Sequence, residues 1–95
     1  MEMNGKVVAI MDVQRFVSHK TGNEVVRHGF VIETQEQYPR KACFTVLGDD
    51  RWQKMQIVMG ASYCVSFDIE SREYQGKWYN QLNAWKAVSL QQGQA

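Results

Sequence analysis

Ninety-five residues and 11.0 kDa suffice for one small domain and leave no room for a second hydrophobic core. Apolar residues make up 44% of the chain, with three Trp, four Tyr and four Phe, enough large side chains to fill a single barrel-sized interior. A net charge of +1 excludes a global field that would gather polyanions, so any basic surface is local; no apolar run approaches the ~20 residues of a membrane span, and a cytoplasmic protein is expected.

Residues 5–17, GKVVAIMDVQRFV, are rich in β-branched and apolar residues and predict one long, bent first strand. SHKTGNE then supplies Ser18, Thr21, Gly22 and Asn23 for a turn, making a hairpin with the next strand over residues 25–34. There Val26, Phe30 and Ile32 share one face, Arg27, Gly29, Val31 and Glu33 the other, and Gly29 suggests a bulge. The single proline, Pro39, separates this strand from a third over residues 41–47, with Ala42, Phe44 and Val46 inward and Lys41, Cys43, Thr45 and Leu47 outward. GDDRWQKMQIVMG follows, its acids at a helix start and its Trp52, Met55 and Met59 at helical spacing, so a short helix closed by Gly60 is predicted. Tyr63, Val65, Phe67 and Ile69 alternate with polar residues in a fourth strand that buries one face. A hairpin tip at Gln75 and Gly76 leads into a fifth strand ending near Val88, with Leu82, Ala84 and Val88 inward and Tyr79, Gln81, Asn83 and Trp85 outward. The polar tail SLQQGQA is expected to fray, leaving residues 1–90 as the domain and 91–95 disordered.

Three strands, a helix and two strands is the order of a five-stranded OB-fold Greek-key barrel, an all-β class with its one short helix between strands three and four. This order is the main warrant for the fold.

Catalytic chemistry has little support. The chain contains no GxSxG, P-loop, HExxH or DxD-type cluster, and the Asp68 and Glu70 pair is ordinary for a wet strand face. His19 and His28 read as surface or half-buried structural residues, and Cys43 and Cys64, 21 positions apart with no zinc-ligand spacing, as buried free thiols. Trp52 reads as core. A non-enzymatic protein without cofactor or metal is expected.

The hairpin around Gln75 is different, because Arg72, Tyr74, Lys77, Trp78 and Tyr79 place three aromatics and two cations in a segment too short to bury them all. Exposed rings accept nucleobases whatever their identity, and interleaved cations hold phosphates. On an OB chassis this hairpin borders the face of strands two and three, which adds Lys20, Arg27, Arg40 and Lys41. The competing reading is that Tyr74 or Trp78 caps the barrel end. Trp85, on the outer face of strand five, could stack a base, fill a dimer interface or be buried by a shift of register.

The segments GKVVAIMDVQ, ETQEQYPRKACFTVLGDDRW and VSFDIESREYQGKWYNQLNAWK, in that order, resemble a family of short proteins from Bacteroidetes and their phages catalogued as a domain of unknown function. The resemblance spans nearly the whole chain, and that family is similar to OB-fold single-stranded DNA-binding proteins. It implies a non-catalytic protein of replication, recombination or repair that binds single-stranded DNA, with RNA not separated from it by the sequence. Two features depart from the bacterial single-strand binding proteins. Lys41 and Leu47 stand where stacking aromatics are usual, and QQGQA lacks the acidic, hydrophobic-ended recruiting tail. The tail makes the chain look closer to a dimeric primosomal accessory protein, and a homodimer or higher oligomer, paired through the first strand, is expected. The alternative is a protein-interaction module, with replication proteins among its partners.

Overall fold

A computed structural model describes residues 1–90. Six strand segments, β1 (Glu2–Ile10), β2 (Gln14–Val17), β3 (Glu24–Glu33), β4 (Lys41–Leu47), β5 (Ser62–Tyr74) and β6 (Lys77–Ser89), surround a single helix, α1 (Asp49–Met55). β1 pairs antiparallel with both β5 and β3, β5 with β6, β6 in parallel with β4, and β4 with β3, so five strands close a ring and β2 extends β3 beyond it. Closure gives most of the backbone partners and brings the inward faces together, which is how a chain this short buries a core.

The expected first strand is broken in two. β1 starts at Glu2 rather than Gly5, and Met11, Asp12 and Val13 interrupt the ladder before β2. β1 meets Phe30–Glu33 and β2 meets Glu24–Arg27, so the chain must follow β3 around the curve of the barrel. Val8 is the extra residue of a bulge there, since Val7 faces Ile32 and Ala9 faces Val31. Gly29, expected to bulge, instead sits in an unbroken ladder opposite Thr45, where its missing side chain admits Met11. Gly5 is required by a closer approach: a Cβ there would lie 2.8 Å from the backbone oxygen of Glu33.

The inward sets of β3 and β4 are as expected. Phe30, Ile32, Phe44 and Val46 are fully buried with Val7 and Val65, and the rings of Phe44 and Phe67 meet edge-on at 4.9 Å. In β5 the alternation overstates the core. Tyr63, Val65 and Phe67 are buried but Ile69 is half exposed, because it stands where the β5–β6 pair leaves the barrel: its partner Leu82 is the first β6 residue paired with β4, and beyond it the two strands continue as an arm. Ser66, assigned to the wet face, is buried.

The helix ends four residues early, at Met55 rather than Met59. Gln56 takes the left-handed conformation at its C-terminus, Gly60 belongs to the following turn, and Met59 is exposed. The Tyr63 hydroxyl holds this loop, donating to Gln56 O at 2.7 Å and accepting from Val58 N–H at 3.0 Å. α1 covers one barrel end with Met55 and Trp52. His28, expected at or near the surface, is buried beneath it, stacked on Trp52 at 4.7 Å with its Nε2 3.0 Å from Asp49 Oδ1. The carboxylate satisfies an imidazole nitrogen that would otherwise be costly to bury. At the other terminus the chain is not frayed from Ser89: that residue is in β6, and Leu90 N–H donates to Ser62 O at 2.9 Å. The expected disorder of 91–95 lies outside the described residues. No helix among them is long and apolar enough to cross a membrane.

Candidate functional site

The outer faces of β3, β4 and β6 form one continuous surface. Cross-strand pairs set Arg27 beside Leu47, Gly29 beside Thr45, Val31 beside Cys43 and Glu33 beside Lys41, and the parallel pairing sets Thr45 beside Asn83. Side chains two residues apart share a face, so Asn83 continues through Gln81 to Tyr79 and Lys77 on β6, with Asp68, Glu70, Arg72 and Tyr74 opposite them on β5. Gln81 donates to Asn83 Oδ1 at 2.7 Å, tying two polar groups of this track together.

Two hairpins bound the surface. The β2–β3 turn leaves at the Arg27 end and carries Lys20, exposed in a loop closed by Gly22 N–H and Asn23 O bonding to Ser18. The β5–β6 arm leaves at the Lys41 end, because β6 runs parallel to β4 and its earlier residues lie toward the start of β4. Its tip, Gln75 and Gly76 with φ of 52° and 79°, is a type I′ turn matched to the twist of the two strands. Tyr74, Trp78 and Tyr79 are 65%, 70% and 53% exposed, so none of them caps the barrel.

The structure divides the expected site residues. Arg27, Lys41, Arg72, Tyr74, Lys77 and Tyr79 share the surface just described, with Lys20 at its edge. Arg40 is exposed in the connection before β4, its backbone N–H donating to Thr34 Oγ1 at 2.9 Å. Trp78 points the other way: it pairs with Glu73 and follows the face of Asn80, Leu82 and Ala84, the last two turned to the barrel interior. Trp85 departs further, as the unpaired residue of a bulge in β6 beside α1, because Ser66 faces Lys86 while Phe67 faces Ala84. The same extra residue reverses the sides beyond it, so Ala87 packs on the core and Val88, expected inward, is exposed.

Phe16 was missed by sequence reasoning, which absorbed it into the apolar run of the first strand. It is exposed on β2, with the Arg27 guanidinium carbon 5.2 Å from its ring centre. Arg27 Nε is buried with no hydrogen-bond partner among the described residues, beside a depression of about 170 Å³ lined also by Met11, Gln14 and Thr45. Only the two-residue spacing of Gln14 and Phe16 hints at this role.

Charges here are mixed. Arg72 is held by Glu70 at 3.2 Å, Lys41 stands cross-strand from Glu33, and Arg15 is 3.9 Å from Glu24. Both cysteines depart from the buried reading. Cys43 is exposed in the middle of the surface and Cys64 is half-buried on β5, where burial, then the Glu2 carboxylate, push its thiol pKa up. Among the described residues no group of three His, Cys, Asp or Glu is placed to hold a metal ion.

Comparison with known proteins agrees with this architecture. The crystal structure of the mitochondrial single-stranded DNA binding protein Rim1 from S. cerevisiae superposes with a TM-score of 0.67 over 95% of this chain and 92% of that one, at 15% sequence identity. At that identity the likeness speaks to the fold, which is a five-stranded OB barrel with its helix between the third and fourth barrel strands. No curated protein matches the sequence. A family model matches residues 2–88, and the chain therefore belongs to the family described as Domain of unknown function (DUF3127).

Proposed function

We propose that this protein binds single-stranded DNA without catalysis, laying the strand across the outer face of β3 and β4 and along the β5–β6 arm. The observation that carries the reading is the arm: Tyr74 and Tyr79 are exposed on the same face as Arg72 and Lys77, and that face continues into Arg27 and Lys41. Bases would stack on the two tyrosines and on Phe16, while Lys77 and Arg27 meet phosphates. Trp78, on the reverse face of the arm, is reached only by a strand that folds over the tip. The likeness to a single-stranded DNA-binding protein supports the choice of ligand.

A second reading, a protein-interaction module of primosomal type, is favoured by the acids set beside Arg72 and Lys41. Self-association through β1 fits either reading, since Ile10, Met11 and Val13 remain exposed at its end.

Titration with labelled oligo-dT separates the two. Wild-type protein is expected to bind the single strand and not a matched duplex, and Tyr79→Ala and Arg27→Ala each to weaken binding by about fivefold or more. Absence of binding to the single strand at ~100 μM protein and low salt would sink the nucleic-acid reading and leave the interaction module.

A further inference from the structure

Between α1 and the C-terminal half of β6 lies a cleft of about 390 Å³, formed by Asp50, Arg51, Lys54, Met55, Trp85 and Lys86 among others. We propose that it is a second polynucleotide contact, where a base stacks on Trp85 and the adjoining phosphates meet Arg51, Lys54 and Lys86. This inference rests on the reading of the protein as a single-strand binder and lengthens the path of the strand.

Three observations carry it. First, Trp85 has no cross-strand partner, and the bulge that frees it re-aims its side chain out of the ladder, leaving it 49% exposed. Second, α1 turns Met55 and Trp52 to the barrel, so Arg51 and Lys54, three residues apart, share a flank directed at the cleft. Third, the cleft holds three cations against one acid, Asp50, and none of the three is committed to an ion pair among the described residues. In a chain with a net charge of +1 this is a local excess, in contrast to the arm, where Glu70 takes up Arg72. A large ring beside unpaired cations in a concavity that admits a planar group is the chemistry of a stacked nucleotide, not of an apolar peptide.

Spacing turns this into a length dependence. Tyr79 and Trp85 are six residue steps apart on β6, roughly 20 Å of extended chain, so a short strand occupying the arm ends before the cleft and a longer one enters it.

Fluorescence anisotropy with labelled oligo-dT of about 6 and about 16 nucleotides tests this in wild type, Trp85→Ala, the double variant Arg51→Glu with Lys54→Glu, and Tyr79→Ala. All four positions are exposed, and thermal melts verify that each variant is folded. Trp85→Ala and the double variant are expected to weaken the long strand by about tenfold and leave the short strand unchanged, whereas Tyr79→Ala weakens both. Equal affinity of Trp85→Ala and wild type for the long strand overturns the cleft while the arm reading stands, and equal loss on both lengths overturns the separation of the two contacts. If wild type binds neither length, the single-strand reading fails and the cleft with it.

Discussion

Cys43 and Cys64 have the same free thiol and different surroundings. Cys43 projects from the outer face of β4, cross-strand from Val31, into solvent. Cys64 is half-buried between β1 and β6, and burial followed by the Glu2 carboxylate raises its pKa, with Lys86 pulling weakly the other way. A raised thiol pKa means less thiolate at any pH below it, and the thiolate is the species that alkylates. Iodoacetamide near neutral pH is therefore expected to label Cys43 first, with Cys64 catching up only as pH rises; peptide mass mapping over a time course reads the order. Cys64 reacting first would contradict the described burial. Because Cys43 lies between Arg27 and Lys41 on the proposed face, bound oligo-dT is also expected to slow its labelling and to leave the rate at Cys64 unchanged.

The arm is the element whose local geometry is most open to change. Its I′ turn needs positive φ at both central residues, which Gly76 accepts freely and Gln75 accepts under strain. Gln75→Asn is expected to stabilise the protein by a few tenths of a kcal/mol and Gly76→Val to destabilise it by about 1–3 kcal/mol, read by urea denaturation. A neutral Gly76→Val would mean that the arm melts independently of the barrel. The tip was legible in the sequence because a turn residue pair announces itself between aromatic flanks, and so were the faces of β3 and β4, where strict alternation coincides with burial. Alternation by itself reports only a face. It runs on through Ile69 after the core has ended, and it cannot register the single extra residues Val8 and Trp85 that reverse the sides beyond them. Trp78 and Tyr79, expected to act together, stand on opposite faces because the ladder there is unbroken and neighbouring strand residues alternate, while the pairing of His28 with Asp49 depends on a contact between elements that local pattern does not encode.

At the scale of the whole molecule, the charge balance decides how the proposed binding responds to salt. Each phosphate neutralised by a free cation releases counterion from the strand, so the logarithm of affinity falls with that of salt by about 0.7 per contact for single strands. Six cations border the proposed face and arm, but Arg72 is already paired with Glu70, and Lys41 faces Glu33 across the ladder. Lys20, Arg27, Arg40 and Lys77 remain, which gives an expected slope of about −2 to −3 for a short strand. Glu70→Gln removes the competing carboxylate beside an exposed Arg72, and is expected to steepen that slope by about 0.7 and raise affinity at low salt several-fold. The exposure of both side chains makes the pair a weak contributor to stability, so the variant should melt as wild type does. A slope near zero in wild type would mean that phosphates are not the partners of these cations. Reduced affinity in Glu70→Gln would instead assign Glu70 a direct part in recognition, which is the behaviour of a surface built for a mixed-charge protein partner.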